Sequence, residues 1–173
     1  MRIQDFLHAV YDALGGRLPK PLRDHQWRVR WSLLQVYFET ASVHYEVWVQ
    51  KQKRRIEIGL HFEGERDDNY RWAEALAPHA LEIQAQLGPS VELEEWTQVW
   101  TRLHETVEFQ GKLSPELAAA IAGRLARFIE VLEPIRKQER AAVVLTTPAA
   151  SPLSPVRKRA APSKRRRSAR RAG

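Results

Sequence analysis

The sequence contains no cysteine. That absence excludes disulfides, thiol nucleophiles and cysteine-ligated zinc together. No stretch approaches the ~20 consecutive apolar residues of a membrane helix. The N-terminal segment MRIQDFLHAVYDALGG is interrupted by Asp5, His8 and Asp12, so it does not read as a signal peptide. Gly15-Gly16 lacks the further glycine and the Lys-Ser/Thr of a phosphate loop. No Ser-His-Asp pattern and no internal repeat is visible. Asp and Glu are missing altogether from residues 141–173. A cytoplasmic protein is the expectation, nucleoid-associated if the source is a bacterium. The preference for arginine (21) over lysine (7) suits a GC-rich bacterial genome.

What is present is one domain's worth of chain. The 173 residues are 43% hydrophobic and 28% charged, enough for a single core. The net charge of +7 is unevenly placed. Residues 141–173 carry nine cations: Arg157, Lys158, Arg159, Lys164, Arg165, Arg166, Arg167, Arg170 and Arg171. The first 140 residues hold 19 basic and 21 acidic residues, a net of −2. Four of the ten prolines also lie in the tail. A segment of Pro, Ser, Ala and Arg buries too little surface to offset ordering entropy. The predicted division is therefore 1–140, a compact domain, and 141–173, a disordered Arg/Pro-rich tail.

Within the domain the apolar period marks the elements. Ile3, Phe6, Leu7, Val10 and Leu14 have helical spacing, closed by Gly15-Gly16. Alternation then predicts three strands. Trp27, Val29, Trp31 and Leu33 form the first, Val43 to Val49 the second, and Ile56 to Phe62 the third. Asp67-Asp68-Asn69 supplies candidate caps for a helix through Trp72, Leu76, Ala80, Ile83 and Leu87, with a kink or break at Pro78. β-Propensity favours a strand pair over 91–109. Ser114-Pro115 starts a last helix through Leu125, Phe128 and Ile135, with a fray or break at Pro134. The predicted fold is α+β: a single antiparallel sheet in the order α-βββ-α-ββ-α, covered by helices on one face. The predicted core includes Trp31, Val47, Ile58, Leu60, Leu76, Ile83, Leu125 and Phe128.

Pairing Gln50 with Arg55 across the turn at 51–54 sets His44 opposite His61, Glu46 opposite Gly59 and Trp48 opposite Glu57. Two imidazoles with Glu46 and Glu63 are suitable ligands for a zinc-like ion. The competing reading is an ordinary solvated sheet face, and it is the expectation: no catalytic residue, no bound metal and no cofactor. A nuclease strand would carry a lysine two residues after Glu57, where this chain has Gly59. Of the six tryptophans, Trp27, Trp31 and Trp72 fall on core periods. Trp48 falls on the polar face, where Arg28, Arg30 and Arg55 are candidate sheet-face contacts.

Ser154-Pro155-Val156-Arg157-Lys158-Arg159 is similar to the Ser-Pro-basic elements of chromatin tails. Nine cations on one segment attract phosphate by counterion release without reading sequence. The expected function is a non-enzymatic, largely sequence-nonspecific nucleic-acid-associated protein, with DNA favoured over RNA. Two alternatives stand beside it. One is a metal-dependent, nuclease-like enzyme using the His44/His61 face. The other is an adaptor that binds another protein.

Residues 56–135 resemble a bacterial family, the domain of unknown function 4268, whose members are often found with restriction-endonuclease-like proteins. The likeness rests on Ile56-Glu57-Ile58-Gly59-Leu60-His61-Phe62 and on the helix ending Leu81-Glu82-Ile83-Gln84-Ala85-Gln86-Leu87-Gly88. It continues in Leu93-Glu94-Glu95-Trp96 and in the last helix with Phe128-Ile129. It implies an accessory or DNA-associated module and supplies no active-site residue.

Overall fold

The apolar face of each predicted strand needs a cover, and the helices supply it. The computed structural model describes residues 1–145. The elements are α1 (Ile3–Gly15), β1 (Gln26–Arg30), β2 (Leu33–Tyr37), β3 (Val43–Gln50), β4 (Arg55–Phe62), α2 (Arg66–Leu76), α3 (Ala80–Leu87), β5 (Glu92–Glu95), β6 (Thr101–Glu108) and α4 (Pro115–Leu145). The strands form one antiparallel sheet in the order β1-β2-β3-β4-β6-β5. Helix α4 packs on α1, α2 and α3 and lies against β3 and β4. Leu34, Tyr45, Val47, Ile56, Ile58, Leu60, Phe62 and Leu103 face this helical layer and are buried. The core also takes Leu76, Ile83, Leu125 and Phe128, as the periodicity predicts. No helix among the described residues is long and apolar enough to cross a membrane.

Several sequence expectations change. The alternation from Trp27 to Leu33 is not one strand. The chain turns at Trp31-Ser32, so Arg30 pairs with Leu33 and Val29 with Leu34. The sheet therefore has six strands rather than five. Trp31 caps the hairpin and is 83% exposed instead of buried. A two-residue turn reverses the strand while the apolar alternation continues through it, so periodicity alone passes over the break. Trp27 is also 38% exposed, with its ring stacked 3.9 Å from Tyr11 of α1.

Asp67, Asp68 and Asn69 do not cap α2. The helix begins at Arg66, with Asp67 and Asp68 in its first turn. There they favour the helix dipole, while Asn69 turns inward to bind loop backbone. The expected interruption at Pro78 is real: Ala77–His79 is a 3₁₀ turn between α2 and α3. At α4, Ser114 Oγ accepts a hydrogen bond from Leu117 N at 3.3 Å, as a cap should.

Pro134, by contrast, does not end its helix. Leu132 and Ile135 on either side of it are buried. Glu133 accepts a hydrogen bond from the Tyr45 hydroxyl at 3.0 Å and an ion pair from Arg136 at 2.8 Å. This packing outweighs the ~3 kcal/mol that an interior proline costs. Helix α4 also continues past Arg140. The helix backbone thus crosses the predicted boundary at 140, with Val143 buried beyond it. The nine tail cations lie outside the described residues.

Candidate functional site

Strand register builds the polar face. Antiparallel pairing of β3 and β4 sets His44 beside His61, Glu46 beside Gly59 and Trp48 beside Glu57. This is the register that the short turn at 51–54 predicts. Strand β2 adds Gln35 next to Glu46, and β6 adds Arg102 next to His61 and His104 next to Gly59. One sheet face thus collects three histidines, two glutamates, an arginine and a glutamine.

That face is not the solvated surface expected from the alternation. His44, Glu46, Glu57 and His61 are all buried. The cover is aromatic and comes from the turn between β5 and β6. Trp96 stands edge-on to His61 with ring centres 5.6 Å apart. It also meets Trp48 at 6.1 Å and Trp100 at 5.7 Å. The turn is pinned from both sides. Trp96 N donates to Trp100 O at 3.0 Å, Arg66 donates to Gln98 O, and Asn69 Nδ2 donates to Val99 O. Asn69 therefore works as a brace for the tryptophan turn.

Beneath this cover the hydrogen bonds orient individual groups. His44 Nδ1 lies 2.8 Å from Ala41 O, an acceptor, so Nδ1 carries the proton. His44 Nε2 then presents its lone pair, 2.9 Å from Gln35 Nε2. Gln35 Nε2 also donates to Glu46 at 2.8 Å, and Gln35 Oε1 accepts from Arg28 at 2.6 Å. Burial pushes the Glu46 carboxyl upward. His44, His61 and Gln35 outweigh that effect and hold it below its ordinary value.

His61 has no such partner. Its Nε2 lies 3.4 Å from Glu57 and its Nδ1 3.5 Å from Glu63, yet neither nitrogen makes a hydrogen bond. Burial opposes a charged imidazole here. Glu57, Glu63 and Glu46 more than compensate and raise the His61 pKa to about 9. On β6, burial and the Arg102 charge lower the pKa of His104.

Above the cluster the surface opens into a cavity of about 400 Å³. Trp31, Trp48, Trp96 and Trp100 wall it, and Gln35, Glu46 and Glu63 contribute polar groups. Trp31 reaches the rim from the β1–β2 turn with φ of 48°, in the left-handed region. A bulky side chain there carries backbone strain of roughly 1–3 kcal/mol, which clusters at functional positions.

Gly59 keeps the face open. A Cβ at this position would stand 2.7 Å from His104 Cβ and 2.7 Å from Leu103 O. The position where a nuclease strand would carry lysine thus has no room even for a methyl group. Gly59→Ala should force β4 and β6 apart and cost about 1–3 kcal/mol by overpacking. Urea denaturation of the purified variant reads this directly, and an unchanged midpoint would disprove the close approach.

The candidate sheet-face contacts separate. Trp48 is a pocket wall. Arg30 is exposed at the end of β1, next to the Trp31 turn. Arg28 is engaged by Gln35, and Arg55 pairs with Glu108 at 3.6 Å, away from the pocket walls. His44, Glu46, His61 and Glu63 do converge, with ligand atoms all within 4.8 Å of one another. A second group, Glu92, Glu94 and His104, has the same property. Sequence reasoning missed Trp31, Trp96, Trp100, Gln35 and Arg102 as members of the site. The available signal was Trp96-Thr97-Gln98-Val99-Trp100, two tryptophans closing a hairpin. Comparison with family models, with curated proteins and with solved structures finds no match to this chain.

Proposed function

We propose that this is a non-enzymatic, nucleic-acid-associated binding protein. It takes an unpaired base in the tryptophan pocket and draws phosphate to its basic C-terminal run. The observation that carries the reading is the set of four tryptophans around one cavity, with Trp31 held out on a strained turn. Exposed indoles offer stacking planes that any base can use. Gln35, Glu46 and Glu63 give the pocket a polar floor beneath the indoles. Arg30, exposed at the end of β1 next to the Trp31 turn, would offer a cation to a phosphate. DNA is the expected partner.

The test compares single-stranded and duplex DNA of equal length at fixed salt, using the full chain and tryptophan fluorescence. Stacking one base is worth roughly 1–3 kcal/mol. Trp31→Ala should therefore weaken single-strand binding by about tenfold, with little change for duplex, whose bases are already stacked. Since Trp31 is exposed, the variant should remain folded. Equal losses on both substrates, or none on either, would refute the base pocket.

A further inference from the structure

We propose that His44, Glu46, His61 and Glu63 bind a divalent first-row transition metal ion at the floor of the tryptophan pocket. Two independent observations meet at this point. The first is convergence: four ligand atoms from adjacent strands β3 and β4 and the residue following β4 lie within 4.8 Å of one another. A tetrahedral zinc ion keeps its ligands about 3.3 Å apart, a distance that small side-chain rotations would reach. The second is the His61 ring. It is 1% exposed, and neither of its nitrogens has a hydrogen-bond partner. Buried polar atoms are almost always satisfied, and an unmet imidazole among carboxylates is what a cation would complete.

The surrounding contacts favour the same ligand set. The His44 proton is committed to Ala41 O, which turns the Nε2 lone pair into the cluster, where Gln35 Nε2 lies 2.9 Å away and an ion would take its place as the partner. Gln35 holds the Glu46 carboxylate in place from the second layer. Charge balance also points here. Arg102 donates to Glu57 at 2.7 Å and to Glu94 at 2.6 Å. Glu46 and Glu63 have no arginine or lysine partner among the ion pairs of the described residues. Their only ion-pair partners there are imidazoles, His44 at 3.4 Å from Glu46 and His61 at 3.5 Å from Glu63, the same side chains that would share the ion. Arg102 counts against the second group, because its guanidinium already occupies Glu94. Two imidazoles with two carboxylates suit zinc, manganese, iron or cobalt better than magnesium or calcium. Glu46 and Glu63 also line the pocket. The ion would therefore face whatever the pocket holds.

The experiment uses the full chain, stripped with chelator and then titrated with zinc(II) or cobalt(II) without nucleic acid. About one equivalent should remain after dialysis, and cobalt should give the visible bands of a nitrogen/oxygen site. Glu63→Gln, a near-isosteric change at a half-buried residue, should release the ion. His61→Ala should do the same, with folding checked by near-ultraviolet circular dichroism. Gln35→Ala should weaken affinity by about 10–100-fold through loss of second-layer support. His104→Ala should leave binding intact. The inference is overturned if the folded chain retains no metal. It is equally overturned if Glu63→Gln retains the ion, or if His104→Ala rather than His61→Ala loses it. Metal is read here without DNA, so failure of the base pocket and failure of the metal site are separate results.

Discussion

A chain ending at Leu145 should lose most of its affinity for duplex DNA. The reason is where the charge lies. All nine cations in excess of the balanced body sit beyond that point, and the remainder carries a net of −2. Such a body offers phosphate little general attraction. The endpoint matters, because Val143 is buried in the domain and a cut at Arg140 would damage the fold as well. Full-length protein should also show steep salt dependence. If about six of the nine cations engage phosphate, log affinity should fall against log salt with a slope near −5. Preference among duplex sequences should be slight, since phosphate contacts carry no base information. A salt-titrated binding assay of the two chains measures both quantities. Undiminished duplex affinity in the shortened chain would move the interface to the sheet face around Arg28, Arg30, Trp48 and Arg55.

Leu125→Ala and Ile58→Ala should each destabilise the domain by about 2–5 kcal/mol, the range for deleting a fully buried Leu or Ile side chain. Ile58 lies at the centre of the sheet, with Val47 on one side and Glu105 on the other. Leu125 occupies the opposing face of α4, and both residues are fully buried. Domains of this kind have only about 5–15 kcal/mol in total, so either change takes a large share. Trp31→Ala is the informative contrast. The same alternation that places Ile58 inside also places Trp31 inside, yet the hairpin leaves Trp31 in solvent. Its loss should cost almost nothing in stability. Chemical denaturation of the three variants separates the cases. A stable Ile58→Ala would mean that the helical layer does not cover this face.

Local pattern carried much of the fold. The period-two runs at Val43–Val49 and Ile56–Phe62 identify β3 and β4, because a half-buried strand must alternate. The short polar turn between them fixes their register, because a slip of one residue would turn every apolar side chain outward. The pairing of His44 with His61 was therefore legible without coordinates. So were the Ser114 cap and the break at Pro78, which are properties of single residues and their neighbours. Composition likewise placed the cationic excess in the tail, since charge counting needs no geometry.

Tertiary structure decided what long-range contacts decide. The turn at Trp31-Ser32 has no glycine or asparagine to announce it, and only pairing of Arg30 with Leu33 defines it. Pro134 reads locally as a stop, but burial of Leu132 and Ile135 carries the helix through. The polar face looks solvated from β3 and β4 alone. It becomes a buried site because the Trp96–Trp100 turn, some forty residues further along the chain, is laid over it and fastened to α2 through Asn69 and Arg66. Alternation tells which side of a strand a residue is on. Whether that side meets water depends on elements distant in the chain, and only the packed structure brings them together.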